Sequence, residues 1–143
     1  MKPTLRELKD KQDIMQTYGI YKLCMFQPSE EKFSRKVDAF LQDNAVKVYA
    51  FLQNGETKAI IVLRVEAAKA EILGIAVEEA AQRQGIGSYM IKHLVETLAL
   101  TSLYAETDDD AVDFYRKNSF SVTQVTETYD GEAVVRYHCQ WKQ

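Results

Sequence analysis

The segment that most constrains this chain is Gln82-Arg83-Gln84-Gly85-Ile86-Gly87, which falls where a strand pattern, Glu71 to Val77, gives way to a helix pattern. Two glycines two apart let the backbone bend closely around a ligand, and the first N–H groups of the helix that follows have no internal acceptor. Such a junction is an anion-binding geometry. The helix is amphipathic: Ile86, Met90, Leu94 and Leu98 recur at i+4, Ile91 and Val95 widen the stripe, and Lys92, His93 and Glu96 fall elsewhere. On spacing alone the same residues also serve as a ligand-free strand-to-helix turn.

The loop matches neither of the commoner nucleotide fingerprints. A Walker loop requires Lys-Ser/Thr after its second glycine, and a dinucleotide loop requires a third glycine with an acidic residue about 20 positions on. Here Ser88 follows Gly87 directly and no third glycine appears.

A second segment follows the helix: Thr107-Asp108-Asp109-Asp110-Ala111-Val112-Asp113-Phe114-Tyr115-Arg116-Lys117-Asn118-Ser119-Phe120. The pair, Q-x-x-G-x-G after a strand and then D-x-x-A-x-x-F-Y-x-x-x-x-F, resembles the GNAT superfamily of acetyl-CoA-dependent N-acetyltransferases. The preceding Glu71-Ile72-Leu73-Gly74-Ile75-Ala76-Val77 is similar to that family's fourth strand, with an acidic residue where some members keep a general base. The specific motifs span Glu71 to Phe120, and element order alone extends the resemblance further. Two positions depart from the family pattern, which has Asn where Asp108 stands and Gly where Ser119 stands. The first bears on contact with the pantetheine arm, because a carboxylate accepts hydrogen bonds where an amide also donates.

The resemblance implies an α/β (α+β) fold: a twisted mixed, mostly antiparallel sheet flanked by helices. It implies acetyl-CoA as cosubstrate, held by the backbone of Ile75, Ala76 and Val77 and by Gln82, Arg83, Gln84, Gly85, Ile86, Gly87 and Ser88, with Asp108 and Tyr115 beside the pantetheine and sulfur. The wedge for the cofactor is expected between the strands Ala70 to Val77 and Leu103 to Glu106. The implied reaction is direct transfer of acetyl to a primary amine of a small molecule or peptide. A non-catalytic acyl-CoA-binding sensor of the same fold is the alternative, and it needs neither base nor acid.

The rest of the chain is consistent with that size and class. A length of 143 residues suits one domain over 1–143, and 46% hydrophobic with 27% charged residues is ordinary for a globular protein. A net charge of −3 gives no reason to expect nucleic acid as partner. Without an apolar N-terminal segment or a membrane span, and with only Cys24 and Cys139, the chain reads as cytoplasmic with reduced thiols. Neither cysteine has metal-ligand spacing, and His93 and His138 are remote in sequence, so no metal is expected.

Among the remaining elements, Asp10 to Phe26 reads as a helix weakened at Gly19, and Ser29 caps a second helix carrying Phe33, Val37, Phe40 and Leu41. Val46 to Leu52 and Lys58 to Val65 form a hairpin about Asn54-Gly55. Asp108 or Asp109 caps a brief helix with Ala111, Phe114 and Tyr115 on its inner face. Phe120 to Thr126 and Ala133 to Trp141 are the last strands, turning at Asp130-Gly131 and offering an edge for a homodimer.

Glu71 is the candidate general base, because an alkylamine with a pKa near ~10.4 must lose a proton before it attacks a thioester. A solvent-edge strand residue is its plainer role. Tyr115 is the candidate proton donor to the leaving thiolate, or else half of an aromatic pair with Phe114. Gly74 inside a strand marks a bulge or a close approach, which would leave backbone groups of Ile75 and Val77 for the acetyl carbonyl and pantetheine, or else simply packs under a large side chain. Arg83 either adds charge near the pyrophosphate or is solvated, and His138 either lines an acceptor pocket or is a partly exposed strand residue.

Overall fold

Seven strands pair into one sheet: β1 (Thr4–Leu8), β2 (Val46–Gln53), β3 (Glu56–Glu66), β4 (Lys69–Val77), β5 (Ser102–Thr107), β6 (Ser121–Tyr129) and β7 (Glu132–Lys142). Their spatial order is β1-β2-β3-β4-β5-β7-β6, and every neighbouring pair is antiparallel except β4 with β5. This computed structural model describes residues 3–143. Five helices flank the sheet: α1 (Lys11–Met15), α2 (Tyr18–Tyr21), α3 (Glu30–Gln42), α4 (Ile86–Thr97) and α5 (Val112–Lys117). Among the described residues, no helix is long and apolar enough to cross a membrane.

Alternation along the strands sends side chains to two separate cores. Ile61, Leu63, Ile72, Leu103, Ala105 and Cys139 meet Ile86, Met90, Ile91 and Leu94 of α4 on one face. Val48, Ala50, Ile60, Val62 and Ala76 meet Ile14, Tyr21, Phe33 and Val37 of α1 to α3 on the other. Each fully buried Ile or Leu stabilises the fold by roughly 1.5–3 kcal/mol relative to exposure. The helices of the second face contact β2, β3 and β4, so the corresponding face of β5, β7 and β6 is left open, with Tyr104, Glu106 and His138 only partly covered.

Several local expectations hold for stated physical reasons. Ser29 Oγ accepts from the Lys32 N–H, 3.1 Å, and caps α3. Asn54 (φ 55°) and Gly55 (φ 78°) make the β2–β3 reversal, and Asp130 (φ 50°) with Gly131 (φ 80°) makes the β6–β7 one. The helix read over Asp10 to Phe26 is instead broken at Thr17. Its buried hydroxyl donates to the Ile14 carbonyl at 2.6 Å and its own N–H does the same at 2.9 Å, a tight turn that separates α1 from α2. A short 3-10 turn, Lys22–Cys24, then ends the segment.

β1 has no counterpart in the sequence reading. Its Leu5-Arg6-Glu7 is charge-rich, and only Leu8 of the strand is buried, which is how a sheet edge is blunted against further pairing. Of the two last strands only β6 is an edge, because β7 lies between β5 and β6.

Candidate active site

β4 and β5 run parallel and pair only over Lys69 to Ile72 against Ser102 to Ala105. Beyond Ile72 and Ala105 the two strands part: Gly74 to Val77 pair with β3 alone, and Glu106 and Thr107 with β7 alone. A bulge sits at the point of parting. Val62 pairs with Gly74 but Leu63 pairs with Ile72, so Leu73 is the extra residue, and it is exposed. The free edge of β4 therefore presents unpaired backbone groups to a gap between two parallel strands.

At the outer end of this gap lies the glycine loop. Gln82 Nε2 donates to the Val77 carbonyl at 3.0 Å and ties the loop to the last residue of β4. Arg83 (φ 65°) and Gly85 (φ 80°) both adopt left-handed backbone, and Gly85 is the N-cap of α4. The first internal bond of α4 runs from the Tyr89 N–H to the Gly85 carbonyl, so the N–H groups of Ile86, Gly87 and Ser88 have no acceptor within the helix. Gln82, Arg83 and Gln84 are exposed, Ile86 is buried and Ser88 half-buried. Gly87 is required for a different reason: a Cβ there would lie 2.8 Å from the Phe114 ring of α5, so the glycine lets α5 close over the first turn of α4.

Tyr115 is 4% exposed, between Phe114 and Phe120 with ring centroids 5.2 Å away on each side. Burial holds its phenol well above the ordinary tyrosine value, and the Cys139 and Cys24 thiols add to the rise. It stays protonated and can donate. Asp108 Oδ1 accepts from the Asp110 N–H at 3.1 Å, so it turns the loop ahead of α5 without capping the helix, and Asp109 accepts from the Tyr137 hydroxyl at 2.5 Å. Ser119 has φ 69°, left-handed backbone that explains the glycine of the resembling family at this place.

Glu71 is half-buried and makes no salt bridge or side-chain hydrogen bond among the described residues. Its partner across β3, Arg64, is engaged by Asp43 at 3.1 Å and by Glu66. Ala70 and Ile72 point into the α4 core, so Glu71 points to the opposite face, where Tyr104 is its neighbour in register on β5. Burial, then the carboxylates of Glu106 and Glu71, push the Tyr104 phenol up. Glu71 and Tyr115 thus approach the sheet from opposite faces. Ala76 is buried against α1 to α3, while Ile75 and Val77 are half-buried along the gap.

Two site residues are missed by sequence reasoning. Tyr21 lies across Gly74: a Cβ on that glycine would be 2.2 Å from the hydroxyl oxygen and 2.7 Å from the ring carbon bearing it. Gly74 is therefore both next to the bulge and under a large side chain. Cys24 is exposed as a residue, but its sulfur is turned inward: the thiol donates to the Tyr21 carbonyl at 3.2 Å and lies beside the Ile75 backbone. Desolvation pushes this thiol up to about 11. The only sequence signal was the helical spacing of Tyr21 and Cys24, which does not say what that face meets.

A parted pair of parallel strands, a bulge before the gap and a helix N-terminus at its end form a cleft suited to an extended ligand with an anionic end, and the comparisons supply the class. The model of the Acetyltransferase (GNAT) family matches residues 14–120, and the chain belongs to this family. Sequence comparison with curated proteins returns no match. Among solved structures the fold is shared with the ribosomal-protein-S18-alanine N-acetyltransferase from Escherichia coli (21% identity, TM-score 0.73, 99% of this chain and 94% of that one). It is shared equally with a GNAT family acetyltransferase from Elizabethkingia anophelis with acetyl-CoA bound (21%, 0.71, 99% and 98%). A GNAT-family protein from Desulfovibrio desulfuricans superposes with a TM-score of 0.79 at 16% identity, over 99% of both chains.

Proposed function

We propose that this protein is an N-acetyltransferase that moves acetyl from acetyl-CoA to a primary amine by direct attack. The observation that carries the reading is the gap beyond Ile72 and Ala105, which leaves the edge of β4 unpaired between an uncompensated carboxylate on one face and a buried phenol on the other. The pyrophosphate binds the free N–H groups of Ile86, Gly87 and Ser88, and Arg83 adds charge there. The pantetheine lies along the β4 edge, and the E. anophelis relative, solved with acetyl-CoA, supports that cosubstrate.

The acceptor arrives protonated, and Glu71 takes its proton directly or through a water. The neutral nitrogen attacks the thioester carbonyl carbon. The Ile75 N–H, beside the Cys24 thiol, holds the developing oxyanion, and one such donor lowers the barrier by about 3 kcal/mol. The C–S bond then breaks, and Tyr115 supplies the proton to the leaving thiolate, whose parent thiol has a pKa near ~8.5. The second proton, shed by the attacking nitrogen as it becomes the amide, returns to the Tyr115 phenolate through water.

The test is CoA release, followed with a thiol reagent, across a panel of primary amines with wild type, Glu71→Gln and Tyr115→Phe. Glu71→Gln is expected to lose about 10² to 10⁴ in kcat near neutral pH and to regain part of it as the pH nears the amine's pKa, with acetyl-CoA affinity unchanged. Tyr115→Phe slows transfer with little change in Tm. An unchanged pH–rate profile in the first variant removes Glu71 from the mechanism, and full activity in the second removes Tyr115.

A further inference from the structure

The open face of β5, β7 and β6 carries a second cluster, separate from the glycine loop. We propose that Glu106 of β5, Glu127 of β6 and His138 of β7 form a binding site for a divalent transition-metal ion of the Zn²⁺ class. Glu106 and His138 are direct partners across β5 and β7, and Glu127 reaches the same imidazole from the far side. His138 Nε2 lies 3.2 Å from Glu106 Oε1 and 3.6 Å from Glu127 Oε1, and one ligand atom from each residue falls within 4.8 Å of the others. Ligands held about 2.1 Å from one ion are about 3.0 to 3.4 Å apart in octahedral or tetrahedral arrangement. Each carboxylate is near that spacing from the imidazole nitrogen before any ion enters.

A second observation points to a ligand. His138 Nε2 is occluded from solvent and faces the two carboxylates at 3.2 and 3.6 Å without an aligned hydrogen bond to either, and a metal bond would give it a directed partner. The surroundings orient the set: the Tyr129 hydroxyl donates to Glu127 Oε2, 2.5 Å, leaving Oε1 for the ion, and the Tyr104 ring meets the imidazole edge-on at 5.8 Å. All three side chains are about a third or more exposed, which leaves coordination positions for water.

One imidazole nitrogen with two carboxylates suits Zn²⁺ or Mn²⁺, whereas Mg²⁺ asks for a near-octahedral shell of oxygens. The ligands come from three strands and show no ligand spacing in sequence; only the order β5-β7-β6 assembles them. Glu71 is next to Tyr104, so the ion would share the face on which Glu71 awaits the acceptor.

The test is calorimetric titration of EDTA-dialysed full-length protein with ZnCl₂, MnCl₂ and, as control, MgCl₂. One equivalent of Zn²⁺ is expected, with Mg²⁺ about 100-fold weaker or undetectable, and His138→Gln and Glu106→Gln are each expected to weaken Zn²⁺ by about 100-fold. The chain has two histidines, so imidazole NMR on the wild type gives a reading that needs no variant. Zn²⁺ should shift the ring signals of His138 and leave those of His93 in place. No stoichiometric uptake, uptake that survives His138→Gln, loss of uptake in Cys24→Ser, or equal shifts at both histidines would overturn the site.

Discussion

Replacing Gly74 with alanine tests whether the floor of the gap is shaped by Tyr21. The added Cβ would stand 2.2 Å from the Tyr21 oxygen, 2.7 Å from Cζ and 2.8 Å from Cε2, so loss of the hydroxyl alone does not relieve the contact. Ordinary carbon contacts are 3.5–4.0 Å, and the ring must therefore retreat by about 1 Å. It has little room, being 2% exposed, stacked on Phe33 at 5.0 Å and edge-on to Phe40 at 6.4 Å. Overpacking of this kind costs about 1–3 kcal/mol, partly offset by roughly 0.5–1 kcal/mol from removing a strand glycine. The net loss, up to about 2.5 kcal/mol, lowers Tm by up to about 10 °C for a chain of this length. Urea unfolding of wild type, Gly74→Ala, Tyr21→Ala and the double variant isolates the pair. Gly74→Ala should be neutral or stabilising once the ring is gone. A single variant as stable as wild type, or an equal cost in both backgrounds, would refute the packing argument. Because the Ile75 N–H adjoins this contact, Gly74→Ala should also lower the rate of acetyl transfer more than it lowers acetyl-CoA affinity.

Two further outcomes follow from the backbone and from buried phenols. Ser119→Gly removes a side chain from left-handed backbone and should stabilise by about 0.5–1 kcal/mol, a rise in Tm of roughly 2 to 5 °C; a loss of stability would show that the Ser119 side chain makes up for its φ. Burial raises the phenols of both Tyr21 and Tyr115 above the ordinary 10.0. The unfolded chain releases those protons above about pH 10 while the folded protein keeps them, so their contribution is fully present below that pH and is lost as pH rises beyond it. The slope reaches about 2.7 kcal/mol per pH unit for the two together. Urea unfolding between pH 9 and 11.5 measures it, on top of smaller contributions from the Cys24 thiol and the other raised phenols; Tyr115→Phe should lower the slope by about 1.4 kcal/mol per pH unit, and a flat profile would contradict the burial of both groups.

Much of this architecture is visible in the residue pattern because local chemistry and tertiary structure agree there. Asn54-Gly55 and Asp130-Gly131 can hardly do anything but turn, Ser29 caps, and the Ile86, Met90, Leu94 stripe has one core to face. The resemblance rests on the same region, where Gly85 and Gly87 each meet a distinct steric demand. Legibility fails where a partner distant in sequence decides. β1 is a strand because β2 offers an edge, and nothing within Thr4–Leu8 announces it. The break at Thr17 depends on one hydroxyl choosing the Ile14 carbonyl. Tyr21 and Cys24 enter the site only because α2 is laid across the bulge of β4, and the Glu106, Glu127 and His138 cluster exists only through strand order.

The central claim is that the loop and the β4 edge bind acetyl-CoA, and thermal unfolding with saturating acetyl-CoA, free CoA and NAD tests it most directly. At about 100 times its Kd a ligand stabilises by roughly 2.7 kcal/mol, which raises the midpoint by roughly 6 to 12 °C for a domain of this size. Both CoA species should produce the shift, NAD should not, and Gly85→Asp, which sets a carboxylate and a strained φ against the pyrophosphate, should remove it while the variant stays folded. No shift with either CoA species, or a shift that survives Gly85→Asp, would contradict the account.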